Sequence, residues 1–573
     1  PIQNDMTRRI IAAALVALSA TAQAAVRDTV NLNFGWQFHA AQGKHYMDIK
    51  DGWQTVDVPH DFQIAQPWVA PGADEGVDLS DPAANIKSRL SSRGFKEMGE
   101  GWYVRSLRWT DNMDGRRLLL DFEGIMLVGD VYLNGERIGG TEYGYVGFEI
   151  DITKKMRRAV NTLAVKASTM DATNSRWYTG GGLFRPVRMI ITDRDRHFDR
   201  HPLYITTPEV TDGKATVHTE VELTLPKQDR QVTVARRITS PQGEVVLTDT
   251  ATLPRGFKYS LPDATVPNPQ LWSCESPALY SLTLEMLDAQ GKVIDVASHR
   301  FGIRTIEYDP SFGFKLNGQK VLLKGIANHH TLGALGAACY DRAILKRLQL
   351  LKSFGLNHIR TSHNPYSVSL LDMCDSLGIL VCDELYDKWL TQYAGGRTPW
   401  EELWQNDINE WMRRDRNHPS VVMWSLGNEL QTYPQLPYHD GGVTPYLMQK
   451  PVVKRLDPTR PITVAMHPRG RNPQTDSLPC DLAKITDIQA YNYRYMYFPG
   501  DRQKFPYMNF YQSEATMAAM GPNWYEMELD KVIGLAYWGM IDYLGESDGW
   551  PAKGWNKGAF DISLEPKPQA YLI

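Results

Sequence analysis

The sequence predicts a multidomain protein: an all-β sandwich, then an immunoglobulin-like β-sandwich, then a (β/α)8 TIM barrel. Three observations predict it. The chain has 573 residues, too many for one hydrophobic core and enough for three or four domains. Up to about residue 303 it shows short alternating strands broken by turns. From about residue 304 strands alternate with helices, the pattern of a closed parallel sheet.

The elements follow in order. Residues 6–24, MTRRIIAAALVALSATAQA, read as a secretory signal. Arg8 and Arg9 give the basic start, Ile10 to Leu18 a short apolar core, and Ala22-Gln23-Ala24 a small-x-small cleavage site. Residues 1–24 are therefore read as a leading remnant plus signal peptide, and the expected location is periplasmic or secreted, in a bacterium. No second hydrophobic span follows, so no membrane partner is expected. Segment 25–195 carries RLLLDFEG, GDVYLNG and NTLAVKAS as strands, with Asn134-Gly135 a hairpin turn. Segment 196–303 repeats the style in KATVHTEVELTL, QVTVARRI and YSLTLEML, at the density of an immunoglobulin-like sandwich.

In segment 304–573, VLLKGI is a strand and YDRAILKRLQLLKSFG an amphipathic helix stopped at Gly355. NHIRTS, ILVCDEL, VVMWSLGNE, ITVAM, DIQAYN, YMNFYQSE and GLAYWGMID are the other strands, making eight. The closing EPKPQAYLI reads as the start of the last barrel helix, which is expected to be cut short.

Composition narrows the function. The net charge is −4, which gives no electrostatic footprint for nucleic acid. Trp numbers 16, which suits large β-rich cores and equally a carbohydrate binder, because sugar rings have apolar faces that stack on indoles. The five Cys are widely spaced without CxxC, neither a disulfide framework nor a zinc site.

Chemistry in a TIM barrel sits at the C-terminal ends of the strands. Here those ends carry Asn328, His329 and His330; Arg360, Ser362 and His363; Asp383, Glu384 and Asp387; Asn428 and Glu429; Tyr491, Asn492 and Tyr493; Glu514; and Trp538 and Asp542. Glu429 and Glu514 follow strands four and seven, which lie across the mouth. Two carboxylates about 5–5.5 Å apart support retaining glycoside hydrolysis, one as nucleophile and the other as acid, then base. A single Glu at a strand end is as readily a solvated loop residue. Two of them in this order, with Asn428 directly before the first, favour the catalytic reading. Asn428 then suits the sugar 2-hydroxyl, where transition-state contacts matter.

Several motifs give the chain a resemblance to glycoside hydrolase family 2, the β-galactosidase and β-glucuronidase group. They are WQTVDVPHDF (53–62), GWYVR (101–105), RWYTGGGLFRPV (176–187), LLKGIANHH (322–330), IRTSHNP (359–365), DRNHPSVVMWSLGNE (415–429) and YQSE (511–514). The resemblance covers about 26–573 and implies that segment 25–195 is a jelly-roll sugar-binding domain, ahead of the immunoglobulin-like domain and a catalytic barrel. It implies a retaining exo-hydrolase that cleaves terminal β-D-galactosides from oligosaccharides or glycoconjugates, with Glu429 as acid/base and Glu514 as nucleophile. It implies sugar contact for His363 and a Tyr beside the nucleophile, here assigned to Tyr491. Asp387, Trp389 and His330 are further candidates for sugar contact, and Trp538 is either a stacking floor or core.

Magnesium-dependent members carry a His near DELYDKW, and this sequence does not. No metal or cofactor is therefore expected. Some relatives have an Asp two residues before the Trp of RWYTGGG. Ser175 stands there in this chain, with Asn174 and Asp171 nearby. NHHTLGALGAA and IDYLGESDGWPAKGW look most like exported bacterial β-galactosidases. Glucuronidases carry Asn-x-Lys after strand eight, whereas Asn556 and Lys557 are adjacent here. Asp387 and Asp542 are expected to repel a uronate, and Lys553 and Lys557 are the nearest cations. β-Glucuronidase is the alternative, and a non-catalytic carbohydrate-binding protein a third reading that intact Glu429 and Glu514 disfavour. The expected partner is a glycoside substrate, with homo-oligomerisation left open.

Overall fold

The computed structural model describes residues 26–71, 90–170, 176–390, 396–430, 438, 440–468, 478–517 and 520–573. The signal-like segment and Asp171, Asn174 and Ser175 lie outside these residues.

In the first domain, a six-stranded antiparallel sheet centred on Glu100–Arg108 and Val160–Ser168 faces a four-stranded one built on Val187–Thr192 and Arg117–Phe122. Alternation supplies the core: Trp36, Tyr103, Leu118, Leu120, Val131 and Met189 point into one cluster between the sheets. Asn134 (φ 52°) and Gly135 (φ 88°) join Val128–Leu133 to Glu136–Thr141, the left-handed pair that a two-residue hairpin needs. The second domain is a sandwich of two four-stranded sheets. Its strand Tyr280–Leu287 alternates strictly between buried and half-buried, as a one-sided strand must.

The barrel strands are β1 (Leu323–Asn328), β2 (His358–Thr361), β3 (Leu380–Glu384), β4 (Val421–Asn428), β5 (Ile462–Met466), β6 (Gln489–Asn492), β7 (Phe510–Ala515) and β8 (Gly534–Trp538). They pair in parallel in this order, and β8 closes on β1. β4 is buried along its whole length, which explains its unbroken apolar run. Four full helices lie outside: α1 (Asp341–Ser353), α2 (Val368–Leu377), α3 (Trp400–Asp415) and α4 (Val443–Leu456). α2 starts on the Ser367 side chain, which accepts from Leu370 N, and ends at Gly378 with φ 71°. The remaining α-helices among the described residues are short: α5 (Asp481–Ile485), α6 (Phe498–Lys504), α7 (Met520–Tyr525) and α8 (Pro568–Leu572).

One element was not foreseen. A three-stranded sheet over Ile306–Asp309, Gly313–Leu316 and Gln319–Lys320 precedes β1. Phe314 and Leu316 pack with Leu323, Tyr511 and Ile533, so this sheet floors the barrel.

The motifs hold the domains together. In DRNHPS, Asn417 donates to Leu203 O of the second domain (2.9 Å) and accepts from Ile205 N (2.9 Å), while His418 pairs with Asp375 (2.6 Å). In the first domain, Asp61 of PHDF is buried and accepts five hydrogen bonds. They come from Gln63 N (2.9 Å), Ile64 N (3.4 Å), Gly181 N (3.0 Å), the Tyr178 hydroxyl (2.7 Å) and, across the seam, Ala337 N (2.8 Å). Gly180 (φ 75°) lets this loop sit against the barrel, since a Cβ there would meet the Ala337 Cβ at 2.4 Å.

Asp61→Ala strands the backbone N–H groups of Gln63, Ile64, Gly181 and Ala337 and the Tyr178 hydroxyl. The expected loss is on the order of 3 kcal/mol, read as a drop of several degrees in the thermal midpoint. An unchanged midpoint would assign the seam's stability to its other contacts.

Candidate active site

The mouth of the barrel is organised around one buried guanidinium. Arg360 ends the inward face of β2 and is fully buried. Its Nε and Nη2 both reach Glu384 at the end of β3 (2.9 and 2.8 Å), and its Nη1 donates to Glu514 on β7 (2.9 Å). Nη2 also reaches the Asn428 side-chain oxygen (3.1 Å). Burial pushes Glu384 up to about 7, against the lowering effect of Arg360.

Glu429 directly follows β4 with φ 53°, a left-handed conformation that is costly for a residue with a side chain. Its Oε1 accepts from Asn492 Nδ2 (2.9 Å) and lies 2.5 Å from His467 Nε2. Asn492 pairs in register with Glu514 and accepts from Ser513 Oγ (2.6 Å). One amide therefore ties the β4 carboxylate to the strand that carries the other. The two carboxyl groups are displaced in opposite directions. Burial and the charge of Glu429 raise Glu514, with Arg360 and a hydrogen bond from Tyr493 opposing. Burial would raise Glu429 too, but the hydrogen bond from His467 and then the charge of Lys388 hold it well below the usual carboxylate range.

Asn428 and His363 connect these groups. Asn428 Nδ2 donates to Asp387 (3.1 Å) and faces His363 Nε2 (3.4 Å), while its oxygen takes Asn492 Nδ2 (3.0 Å). His363 Nδ1 lies 2.6 Å from Glu384. These partners fix the neutral tautomer: Nδ1–H donates to Glu384 and Nε2 accepts. The Trp538 ring lies parallel to His363 at 5.1 Å, so His363 covers one of its faces.

The first domain completes the wall. Arg176 forks onto Asp387 (2.8 and 2.7 Å), which also takes Lys388 (3.0 Å). Burial opposes the charge on Asp387, but Arg176 and Lys388 hold it well below the usual carboxylate range. Trp177 stacks on His329 at 4.2 Å. Glu546, in the loop after β8, accepts from the Tyr543 hydroxyl and lies 3.6 Å from His329 and 3.9 Å from Arg176. Burial opposes its charge, and His329 and Arg176 outweigh it, so its carboxyl sits below the ordinary value. Gly545 (φ 92°) makes the approach possible, because a Cβ would meet Ser92 O at 2.3 Å and Tyr178 N at 2.5 Å.

Four sequence assignments change. Tyr491 does not point into the mouth: its hydroxyl donates to Asp501 (2.9 Å) and its ring packs on Phe498 and Phe510. The strand period of two sends Asn492 inward, and Tyr493, at φ 55°, breaks the alternation and supplies the hydroxyl for Glu514. His330 lies among Tyr145, Phe184 and Tyr366 in the domain seam, leaving His329 at the mouth. Trp389 is core, donating to Leu426 O (2.7 Å) and stacking on Trp400. Asp542 is paired with Lys567 (2.7 Å) and takes Gly558 N (2.9 Å).

Of the candidate cations, Lys557 pairs with Asp548 (2.9 Å), and Lys553 lies over the Trp550 ring at 3.7 Å. Among the described residues, one group could hold a metal, Asp372, Asp375 and His418. It lies at the opposite end of the barrel, with Asp372 on Arg300 (3.0 Å) and Asp375 on His418. Sequence reasoning missed Arg176, His467 and Glu546. His467 follows a strand end and was findable by that rule; the others sit in loops whose aim only the fold reveals.

The arrangement can now be set beside known proteins. Residues 311–501 match the family described as "Glycosyl hydrolases family 2, TIM barrel domain". Residues 201–304 match "Glycosyl hydrolases family 2", and residues 85–197 its galactose-binding domain-like partner. A crystal structure of a glycosyl hydrolase family 2 member from Bacteroides cellulosilyticus is 31% identical, with a TM-score of 0.79 over 95% of this chain and 70% of that one. The chain belongs to glycoside hydrolase family 2.

Other members of this family show a range of named activities. The Bacteroides ovatus "Beta-galactosidase BoGH2A" is 29% identical over 97% of this chain and 73% of that protein. A "Putative beta-glucuronidase" of Formosa agariphila is 32% identical over 77% of this chain and 40% of that protein. A glycoside hydrolase acts on carbohydrate, and a mouth lined with acids, amides, His and Trp is chemically suited to it.

Arg360→Met removes the shared counter-charge of Glu384 and Glu514. Breaking a buried ion pair costs about 3–5 kcal/mol. Turnover of the best aryl β-glycoside is expected to fall roughly a thousandfold in kcat/KM, with a lowered thermal midpoint. Near-normal kinetics would remove Arg360 from its organising role.

Proposed function

We propose that this chain is a retaining exo-glycosidase that releases terminal β-D-galactose from oligosaccharides or glycoconjugates. The convergence of Glu429 and Glu514 on one hydrogen-bond network, through Asn492 and Arg360, carries the reaction type. Glu514 attacks the anomeric carbon while Glu429 gives a proton to the leaving oxygen. A covalent glycosyl-enzyme forms, and water, deprotonated by Glu429, releases it. Arg360 and Tyr493 stabilise the Glu514 carboxylate that attacks and later leaves.

Glu546 supports the choice of sugar. A uronate taken from water needs a cation, because an unpaired buried charge costs several kcal/mol. Here the carboxylate of Glu546 stands at the mouth, and Arg176, its cation, is already forked onto Asp387. A neutral galactoside can instead donate its hydroxyls to Glu546. The repulsion assigned from sequence to Asp387 and Asp542 therefore moves to Glu546. The β-galactosidase name of the Bacteroides ovatus relative agrees with this reading. The signal-like segment 6–24 supports export.

An aryl β-galactoside is expected to be cleaved at least roughly tenfold better than the β-glucuronide, about 1.4 kcal/mol of discrimination. Glu546→Gln should narrow that ratio by removing the repelling charge. Equal or reversed kcat/KM in the wild type would point to the β-glucuronidase alternative.

Glu429→Ala should retain turnover of dinitrophenyl glycosides, whose leaving groups need no proton, and azide should accelerate it. The product to look for is the β-glycosyl azide. An α-azide would reverse the two roles.

A further inference from the structure

The acid/base role asks Glu429 to hold a proton, yet its surroundings favour the carboxylate. The neighbour that bears on this is His467, at the end of β5. Its Nε2 is 2.5 Å from Glu429 Oε1, closer than the roughly 2.7–2.9 Å usual for a charge-assisted N–H···O bond. The ring stacks on Tyr493 at 5.8 Å and 26°, and Tyr493 is itself bonded to Glu514. Its other nitrogen, Nδ1, is buried and meets no hydrogen-bond partner among the described residues. Side-chain exposure is 20% for His467 and 18% for Glu429, so the pair borders the open side of the mouth, where a leaving group must pass.

Among the described residues, ionisable groups whose charge reaches Glu429 include Glu514 from β7, Lys388 from the loop after β3, Arg176 from the first domain and Tyr493 from the end of β6. Lys, Arg and Tyr hold their protons far more firmly than a carboxylate does. An imidazole alone has a proton affinity near enough to a carboxyl's to pass one back and forth.

Resting on the reading of Glu429 as acid/base, we propose that His467 is a positioning residue that stores the catalytic proton, so that the Glu429–His467 pair carries one proton between its two members. Before attack the pair holds that proton in the 2.5 Å contact between its two members. When Glu514 attacks C1 and the C1–O bond to the aglycone breaks, the pair's one proton passes through the Glu429 carboxyl to the leaving oxygen, leaving a Glu429 carboxylate and a neutral imidazole. In the second step water adds to C1, the bond to Glu514 breaks, and the proton lost by water returns to the pair. One proton leaves and one returns per turnover, and no other reactant is needed. Loss of that proton belongs to the pair and not to either residue. Replacing the imidazole with an amide leaves a carboxyl, the weaker base, to hold it alone.

The test compares wild type with His467→Gln and His467→Asn, using whichever sugar the wild type prefers. Active enzyme is first counted by the dinitrophenolate burst from a 2,4-dinitrophenyl 2-deoxy-2-fluoro-β-glycoside, which needs Glu514 and a folded site but no acid. Per active site, kcat/KM for a methyl β-glycoside should fall at least ~30-fold, and that for the 2,4-dinitrophenyl glycoside less than ~3-fold. The alkaline limb of the phenyl glycoside profile should move to lower pH. Unchanged limb and leaving-group ratio in the variants would overturn the proton-storage role. Equal losses on both substrates, with no shift of the limb, would also overturn it, leaving His467 a structural residue. Absence of wild-type turnover on every aryl β-glycoside would instead overturn the glycosidase reading on which the role rests.

Discussion

The whole active-site arrangement depends on Arg360. A guanidinium with no exposed surface inside a barrel is tolerable only if its charge and its planar fork are matched. Glu384 takes one edge, while Glu514 and Asn428 take the rest. That match fixes side chains from β2, β3, β4 and β7 at once, and the rotamers of the reacting groups follow from it. His363 is set through Glu384, and Asn492 through Asn428. The ion pairs contribute geometry more than stability, because desolvation offsets much of their attraction.

The barrel does not make the mouth alone. Arg176 and Trp177 come from the first sandwich, and they reach Asp387 and His329 only because the seam below is tight. Asp61, Gly180 and Gly545 make it tight, one by gathering five donors and two by having no side chain. The second sandwich plays a different part. Its contacts run to Asn417 and Asp375, at the end of the barrel away from the chemistry. The DRNHPS stretch, which reads from sequence as part of a catalytic motif, is largely this clamp.

The fold was legible because each segment kept one period: two in the sandwiches, and strand–helix alternation in the barrel. The carboxylates Glu429 and Glu514 stand at strand ends as the pattern placed them. Tyr491 failed for a specific reason. In a regular strand Tyr491 and Tyr493 share the face turned away from the mouth, and Tyr493 reaches Glu514 only because its backbone is left-handed. Trp389 and His330 failed because proximity to a motif says nothing about which way a side chain turns. Their aromatic neighbours in the core and the seam decided it. Glu546 and Arg176 could not be found by strand-end counting, since both lie in loops and meet only through domain packing.

The charge balance of the mouth bears on both the chemistry and the sugar. Five carboxyl groups, Glu384, Asp387, Glu429, Glu514 and Glu546, meet three permanent cations, Arg176, Arg360 and Lys388. Burial raises Glu384 and Glu514, and the neighbouring carboxylates add to that rise. The excess of acid favours a transition state with positive charge spread over C1 and the ring oxygen. The same excess works against any substrate that brings its own negative charge. A site built to stabilise an oxocarbenium ion with surplus carboxylates thus needs a dedicated cation before it can accept a uronate. In this protein the cation facing Glu546 is already held by Asp387.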